Sequence, residues 1–303
     1  MKPVASTTAA RLRPSPSEIT TFHQTKTMPT PRAPKQRFWI MPLLFMLSTI
    51  CMAQAPRPER VTDEETELGM EVYKELKAKG EIIESSPLYA SLEPITEAIS
   101  RVAQPYYAHP FKFYLVHEPQ PNAFATPGGN VYVVDSLLTF VKNSEELAGT
   151  LCHEVSHTIH RDALALMEKD EKILRRELGA AILLGPTRAH MLAIALIGRM
   201  QQLGYSRDAE SKADVTGSDI CAAAGYNPWG LVWLFQDFQN VDAKQLPQLL
   251  SDHPANGTRI RTLEQHFRDN PSVFSKFNSD PRSAHAFAVP KDAPEQFWHA
   301  DTR

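Results

Sequence analysis

A short segment in the middle of the chain constrains the fold most: it reads HEVSH, from His153 to His157. Residues four apart lie on the same face of an α-helix, so a helix here presents both imidazoles to one ion, with Glu154 beside them. Neutral imidazole nitrogens are good ligands for Zn²⁺. The spacing therefore predicts a helix that carries two metal ligands and a carboxylate able to act as a general base.

A zinc site that leaves one position open for water needs a third protein ligand. Glu210 is the candidate, in the segment SRDAESKAD at residues 206–214, and Asp214 follows it by one helical turn. Asp214 could accept the remaining ring N–H of a ligand histidine and so fix its tautomer. Alone, such a segment would be an ordinary solvated helix face, but the upstream motif favours the metal interpretation.

Two other histidines need to be placed. His160 continues the stripe of the motif, but it lies about 10 Å along the helix axis from His153, too far to share an ion. We expect it behind the metal ligands or at the surface. His253 lies in a polar cluster, DHP, which by itself would be a turn. It is a candidate catalytic residue that could hydrogen-bond a transition-state oxyanion near the metal.

The rest of the chain predicts an α+β fold that is predominantly helical. Apolar residues recur with a helical period over residues 62–79 and 88–104, and from 136 to about 270. The β-rich stretches 111–116 and 130–134 are separated by prolines and glycines. We expect them to form a small antiparallel sheet.

The segment from residue 178 to residue 200 is apolar, but Pro186, Arg188 and His190 divide it into short runs. Since a span needs roughly 20 apolar residues, these runs are predicted to be core helices. A hairpin that touches a membrane is the alternative.

Residues 1–53 predict a leader that ends in a signal peptide. The first 37 residues hold seven Lys or Arg and one acid, and the apolar run Phe38–Met52 is shorter than the roughly 20 residues of a bilayer span. Cleavage after Ala53 and export to the periplasm are expected. An uncleaved anchor through residues 38–52 and a mitochondrial presequence are alternatives, and translation from Met28 would leave a leader of ordinary length.

Without residues 1–53 the chain has 25 basic and 34 acidic residues, a net charge of −9, which argues against a nucleic-acid-binding surface. Cys152 and Cys221 then remain, both in apolar helical surroundings. We expect buried free thiols, with a disulfide as the alternative in an exported protein.

In their order and spacing these motifs resemble the zinc metallopeptidases that include HtpX, the CAAX prenyl protease and BepA, known as metallopeptidase family forty-eight. The resemblance spans about residues 64–261 and includes NAFATPGG at 122–129, HEVSH, the Glu210-x-x-Ala213-Asp214 segment and His253-Pro254. The long membrane spans and tandem helical repeats of some members are not found in this sequence. The resemblance is therefore to the soluble exported branch.

The resemblance implies a zincin-like (gluzincin) fold with Glu210 as the third zinc ligand and His253 near the active site. It also implies that the strand starting at Gly129, Asn130 and Val131 forms the substrate edge of the cleft. Residues 54–270 would form the metallopeptidase domain, and 271–303 a loosely structured tail.

The expected function is that of a metalloendopeptidase with one Zn²⁺ per chain. Glu154 would be its catalytic base, and its substrates would be unfolded or misassembled exported polypeptides. One alternative is a chaperone-like or scaffold protein whose zinc site is self-occluded and weakly active. Another is a protein held at the membrane surface through residues 38–52.

Overall fold

The computed structural model describes residues 63–178, 187–200, 204–239 and 257–290, together with Leu249 and His253. The predicted leader, the break at Gly185-Pro186 and the last residues, 291–303, lie outside this part. Within it, none of the helices combines the length and apolar character that a bilayer span requires.

Helices dominate the described fold, and the α+β, predominantly helical class is confirmed. The longer helices are α1 (Asp63–Ala78), α2 (Leu88–Ala103), α4 (Ser144–His160), α5 (Asp162–Leu178), α6 (Thr187–Met200), α7 (Arg207–Ala224), α8 (Trp229–Gln239) and α9 (Gly257–Asp269). Two shorter helices are α3 (Asp135–Phe140) and α10 (Pro271–Phe274). The strands are β1 (Ile82–Ile83), β2 (Lys112–Val116), β3 (Ala123–Thr126) and β4 (Asn130–Val134).

The four strands form one mixed sheet in the order β1-β2-β4-β3. β1 is antiparallel to β2, and β3 is antiparallel to β4. β2 and β4 run parallel, with Phe113 opposite Val131. The expectation of an antiparallel sheet was therefore wrong for this pair. The reason is that β3 and β4 form a hairpin, and β4 inserts between β3 and β2.

This order also changes the substrate edge. β4 is an inner strand with partners on both sides, so the expectation that Asn130 and Val131 offer a free edge was wrong. Gly129 belongs to the tight turn before β4, where its φ of 85° favours glycine. The outermost strand on this side of the described sheet is β3. Apolar character identifies a strand but does not encode its position in the sheet.

The helix that carries the HEVSH motif, α4, is buried from Glu145 to Thr158. Its start is capped reciprocally: the Asn143 side chain accepts from the backbone N–H of Glu146, and the Glu146 carboxylate accepts from the backbone N–H of Lys142. Its end is closed by Arg161 in the left-handed conformation, with φ of 58°. Local sequence thus fixes the start of the helix, whereas at its end Arg161 is paired with Glu65 of α1.

Glycines allow α4 to approach its neighbours closely. A Cβ at Gly217 of α7 would lie 3.1 Å from the Cα of His153, and a Cβ at Gly230 of α8 would lie 2.1 Å from the carbonyl oxygen of Glu145. Positions seven apart share a helix face, so Glu210 projects from the same side of α7 that Gly217 brings against α4. This contact places the third candidate ligand opposite the motif.

The described core has two apolar clusters. The larger joins α2, α4, α7 and α8 and contains Cys152 and Cys221, which are buried free thiols, as the sequence indicates. The smaller joins α1 and α6 through side chains that include Leu68, Val72 and Leu196. The apolar residues of α6 therefore belong to a core helix, as predicted.

The segment after α9 packs against the domain. Phe274 is buried, the Trp233 indole N–H donates to the carbonyl of Ser279, and the backbone N–H of His285 donates to the Glu145 carboxylate. The expectation of a loosely structured tail from residue 271 therefore does not hold for residues 271–290. These contacts tie the end of the described chain to the start of α4.

Candidate metal centre

Four buried side chains meet where α4, α7 and the segment before α9 converge. His153, His157, Glu210 and His253 each offer one ligand atom, and these atoms lie within 4.8 Å of one another. The Nε2 atoms of His153 and His157 are 3.0 Å apart, and the carboxylate of Glu210 lies 3.4 and 3.5 Å from them. The structure thus brings the three sequence-predicted ligands together and adds His253.

Carboxylates orient both histidines of the motif. Asp214 Oδ1 lies 3.0 Å from His153 Nδ1, and Asp162 Oδ2 lies 2.8 Å from His157 Nδ1. His157 donates a hydrogen bond from Nδ1 to Asp162, and Asp214 faces Nδ1 of His153, so both rings turn Nε2 towards the cluster. Asp214 has the place expected from the sequence, whereas Asp162 was missed.

The cluster fits a small divalent cation that binds tetrahedrally. Two ligands with bonds of about 2.0–2.1 Å to such an ion lie roughly 3.3 Å apart. The separations between His153 Nε2 and its neighbours, 3.0 Å to His157, 3.4 Å to Glu210 and 3.2 Å to His253 Nδ1, are close to this value. Nitrogen and carboxylate donors of this kind suit zinc, among other divalent metals.

Charge is balanced within the cluster. Burial alone would raise the pKa of Glu210, but the adjacent histidines, His253 foremost, hold it well below its ordinary value. Burial alone would lower the pKa of His153, but its contacts with the carboxylates of Asp214 and Glu210 raise it to about 9. Contacts within the cluster therefore favour the charged forms of both Glu210 and His153.

His253, expected near the metal as a catalytic residue, lies within the ligand cluster itself. Its Nδ1 lies 2.8 Å from Glu210 Oε1, inside the ligand cluster, and its Nε2 lies 3.4 Å from Glu154 Oε1. Glu154 is fully buried beside it. His253 is thus a fourth potential ligand, and it also contacts Glu154, the predicted base.

Arg259 of α9 is the main residue that the sequence reasoning missed. Its guanidinium donates to both oxygens of Asp214 at 2.7 and 2.6 Å, lies 2.7 Å from Glu210 Oε2, and donates to the backbone carbonyl of His253 at 3.1 Å. It also lies 4.4 Å from the centre of the Phe235 ring. One buried cation therefore joins the candidate ligand Glu210, the carboxylate of Asp214 and the backbone of His253.

Two more side chains border the cluster. Tyr205 stacks on His157, with ring centres 4.1 Å apart. His160 lies outside the cluster, as expected, with its Nε2 3.1 Å from the Thr216 hydroxyl. Burial lowers the pKa of His160 to about 4, helped by the positive charge of Lys212. Spacing placed His160 outside the cluster, but it gave no sign of Tyr205.

Comparison with known proteins bears on this geometry. The sequence model of peptidase family M48 matches residues 89–266, which is more than half of the chain and includes all four residues of the cluster. The chain belongs to peptidase family M48. The family resemblance expected from the motifs is confirmed, and the zincin-like fold is that of this family.

Several family members are similar in sequence. The beta-barrel assembly-enhancing protease of Yersinia pestis is 29% identical over 180 residues, covering 55% of this chain and 37% of that protein. The mitochondrial metalloendopeptidase OMA1 of Schizosaccharomyces pombe is 26% identical over 214 residues, covering 67% and 61%. The chain thus spans less than two thirds of the length of these relatives.

Proposed function

We propose that this protein is a zinc-dependent metalloendopeptidase that holds one Zn²⁺ per chain through His153, His157 and Glu210. The observation that carries the proposal is the buried cluster in which both motif histidines turn Nε2 towards Glu210. Carboxylates behind both rings give the arrangement typical of a metal centre. Membership of peptidase family M48 supports the same reaction.

Glu154 is the proposed catalytic base. When bound, zinc polarises the scissile carbonyl and lowers the pKa of its bound water. Glu154 takes the proton of the attacking water and passes it to the leaving amine, a contribution on the order of 10²- to 10⁴-fold. Asp214 and Asp162 hold the two imidazoles in orientation, and Arg259 balances the charge of Glu210 and Asp214.

The substrate would bind as an extended strand along β3. β3 is the outermost strand on its side of the described sheet, and it packs against α4, the helix that carries the HEVSH motif. Pairing to a strand edge engages the main chain of the substrate, which favours unfolded polypeptides over one particular sequence. A role in quality control of exported proteins is consistent with this mode of binding.

The signal peptide and periplasmic location remain part of this proposal. Sequencing the N-terminus of the mature protein tests them, since cleavage after Ala53 supports export. Retention of residues 38–52 in the mature protein would instead favour the membrane anchor.

A second candidate is a protein whose zinc site is self-occluded and weakly active. The position of His253 favours it, because four protein ligands leave no open position for water. The variant His253→Ala separates the two candidates. Faster proteolysis than wild type would support occlusion by His253, whereas loss of proteolysis would support the catalytic role expected from the sequence.

The main test is proteolysis of casein by the zinc-loaded protein, with and without a chelator. Glu154→Gln should keep one zinc per chain and lose cleavage, because only the base is removed. Glu168→Gln, an exposed glutamate on α5, is the matched control and should cleave like wild type. Undiminished cleavage by Glu154→Gln would rule out the assignment.

A further inference from the structure

A cavity of ≈ 270 Å³ lies beside the metal cluster, between the starts of α7 and α9. Its buried wall includes Glu210 and Arg259, and Tyr205, which stacks on His157, also lines it. The volume is below the roughly 300–1,000 Å³ typical of pockets for whole small molecules. It suits a single side chain of a larger ligand bound at the cluster.

The described residues that line this cavity are polar or charged, but the carbon atoms of their side chains supply most of its surface. They include the hydroxyl residues Ser211, Thr258 and Thr262, and none of the described lining residues is aliphatic. The cavity therefore suits a side chain with a short apolar stem and a polar or charged end.

Arg207 indicates which charge the side chain bound in this cavity would carry. It lines the cavity and is exposed, and within the described part of the chain it has neither a hydrogen bond nor an ion pair. It is also the first residue of α7, where a positive charge opposes the helix dipole. Helix stability therefore does not explain an arginine here, whereas an anionic ligand would.

We propose that this cavity is a substrate subsite that accepts a carboxylate, the side chain of an aspartate or glutamate close to the scissile bond. The inference rests on the proposed peptidase function and adds a preference to it. Arg207 would bind the carboxylate at the mouth of the cavity, and the hydroxyls of Ser211 and Thr262 could donate to it. Because pairing to β3 engages only the main chain of the substrate, selectivity for its side chains would come from this contact.

The test uses peptides that carry glutamate or glutamine at each position near the cleavage site in turn. All carry a C-terminal amide, and a second set carries a free carboxylate. We expect a roughly threefold to tenfold higher kcat/KM for glutamate at one position. The preference should disappear in Arg207→Glu and persist in Arg101→Glu, an exposed arginine on α2 that serves as the matched control.

Binding of the same peptides to Glu154→Gln, measured by fluorescence anisotropy, separates this inference from the proposed function. If wild type cleaves no peptide but the acidic peptides still bind more tightly through Arg207, the subsite stands and the peptidase assignment fails. Equal binding and cleavage of glutamate and glutamine peptides would overturn the subsite. The subsite would also be overturned if Arg207→Glu still preferred glutamate peptides. The same holds if the preference is seen only for peptides with a free C-terminal carboxylate.

Discussion

Replacing Arg259 by methionine tests how the metal centre is held together. Methionine keeps an apolar stem near Phe235 but removes the cation that contacts Asp214 and Glu210. Both carboxylates are buried, with exposures of 0% and 2%. Arg259→Met therefore leaves two buried negative charges without their common partner.

The expected loss follows from these contacts. Removing one partner of a buried ion pair costs about 3–5 kcal/mol, a large share of the roughly 5–15 kcal/mol that stabilises a domain. We expect a smaller loss in the presence of zinc, because the bound cation would compensate the charge of Glu210. Arg259→Lys should fall between wild type and methionine, since lysine keeps the charge but not the two-pronged contact with Asp214.

Urea unfolding followed by far-UV circular dichroism measures these differences, with and without a chelator. Arg261→Met, two residues along α9 and exposed, is the matched control and should stay within about 0.5 kcal/mol of wild type. A loss below about 1 kcal/mol for Arg259→Met in the presence of a chelator would show that the guanidinium does not compensate the buried carboxylates.

Three further predictions concern the helices around the site. Asp162→Ala should weaken zinc binding by about 10- to 100-fold in a chelator competition assay, because it removes the carboxylate behind a ligand histidine. Gly217→Ala should lower the melting temperature, because its Cβ would meet the α4 backbone at 3.1 Å, whereas Gly198→Ala, with nothing within 4 Å, should not. The hydrogen bond to Glu145 raises the pKa of His285 above 6.5, so its stabilisation is present at lower pH and is lost as the pH rises through the raised pKa. His285→Gln should therefore lower the melting temperature more at about pH 5.5 than at about pH 9, and an equal effect would contradict this reasoning.

The sequence predicted the parts of the site that depend on local spacing. His153 and His157 are four residues apart on one helix, and Glu210 and Asp214 are four apart on another, so each pair could be placed on a helix face. The approach of the two helices depends on Gly217, whose role becomes visible only when α7 lies against α4.

The parts that sequence could not predict depend on where distant segments meet. Arg259 lies on α9 and reaches Asp214 and Glu210 on α7, a contact that no local pattern encodes. His253 was expected near the active site, but its place within the ligand cluster depends on the same packing. The order of the strands likewise follows from the insertion of β4 beside β2.

Anomalous diffraction at the zinc absorption edge, from crystals of the zinc-loaded protein, would locate the metal and its ligands. We expect one peak per chain, within bonding distance of Nε2 of His153, Nε2 of His157 and the carboxylate of Glu210. A zinc peak elsewhere, or none at this cluster in protein that cleaves casein, would contradict this expectation.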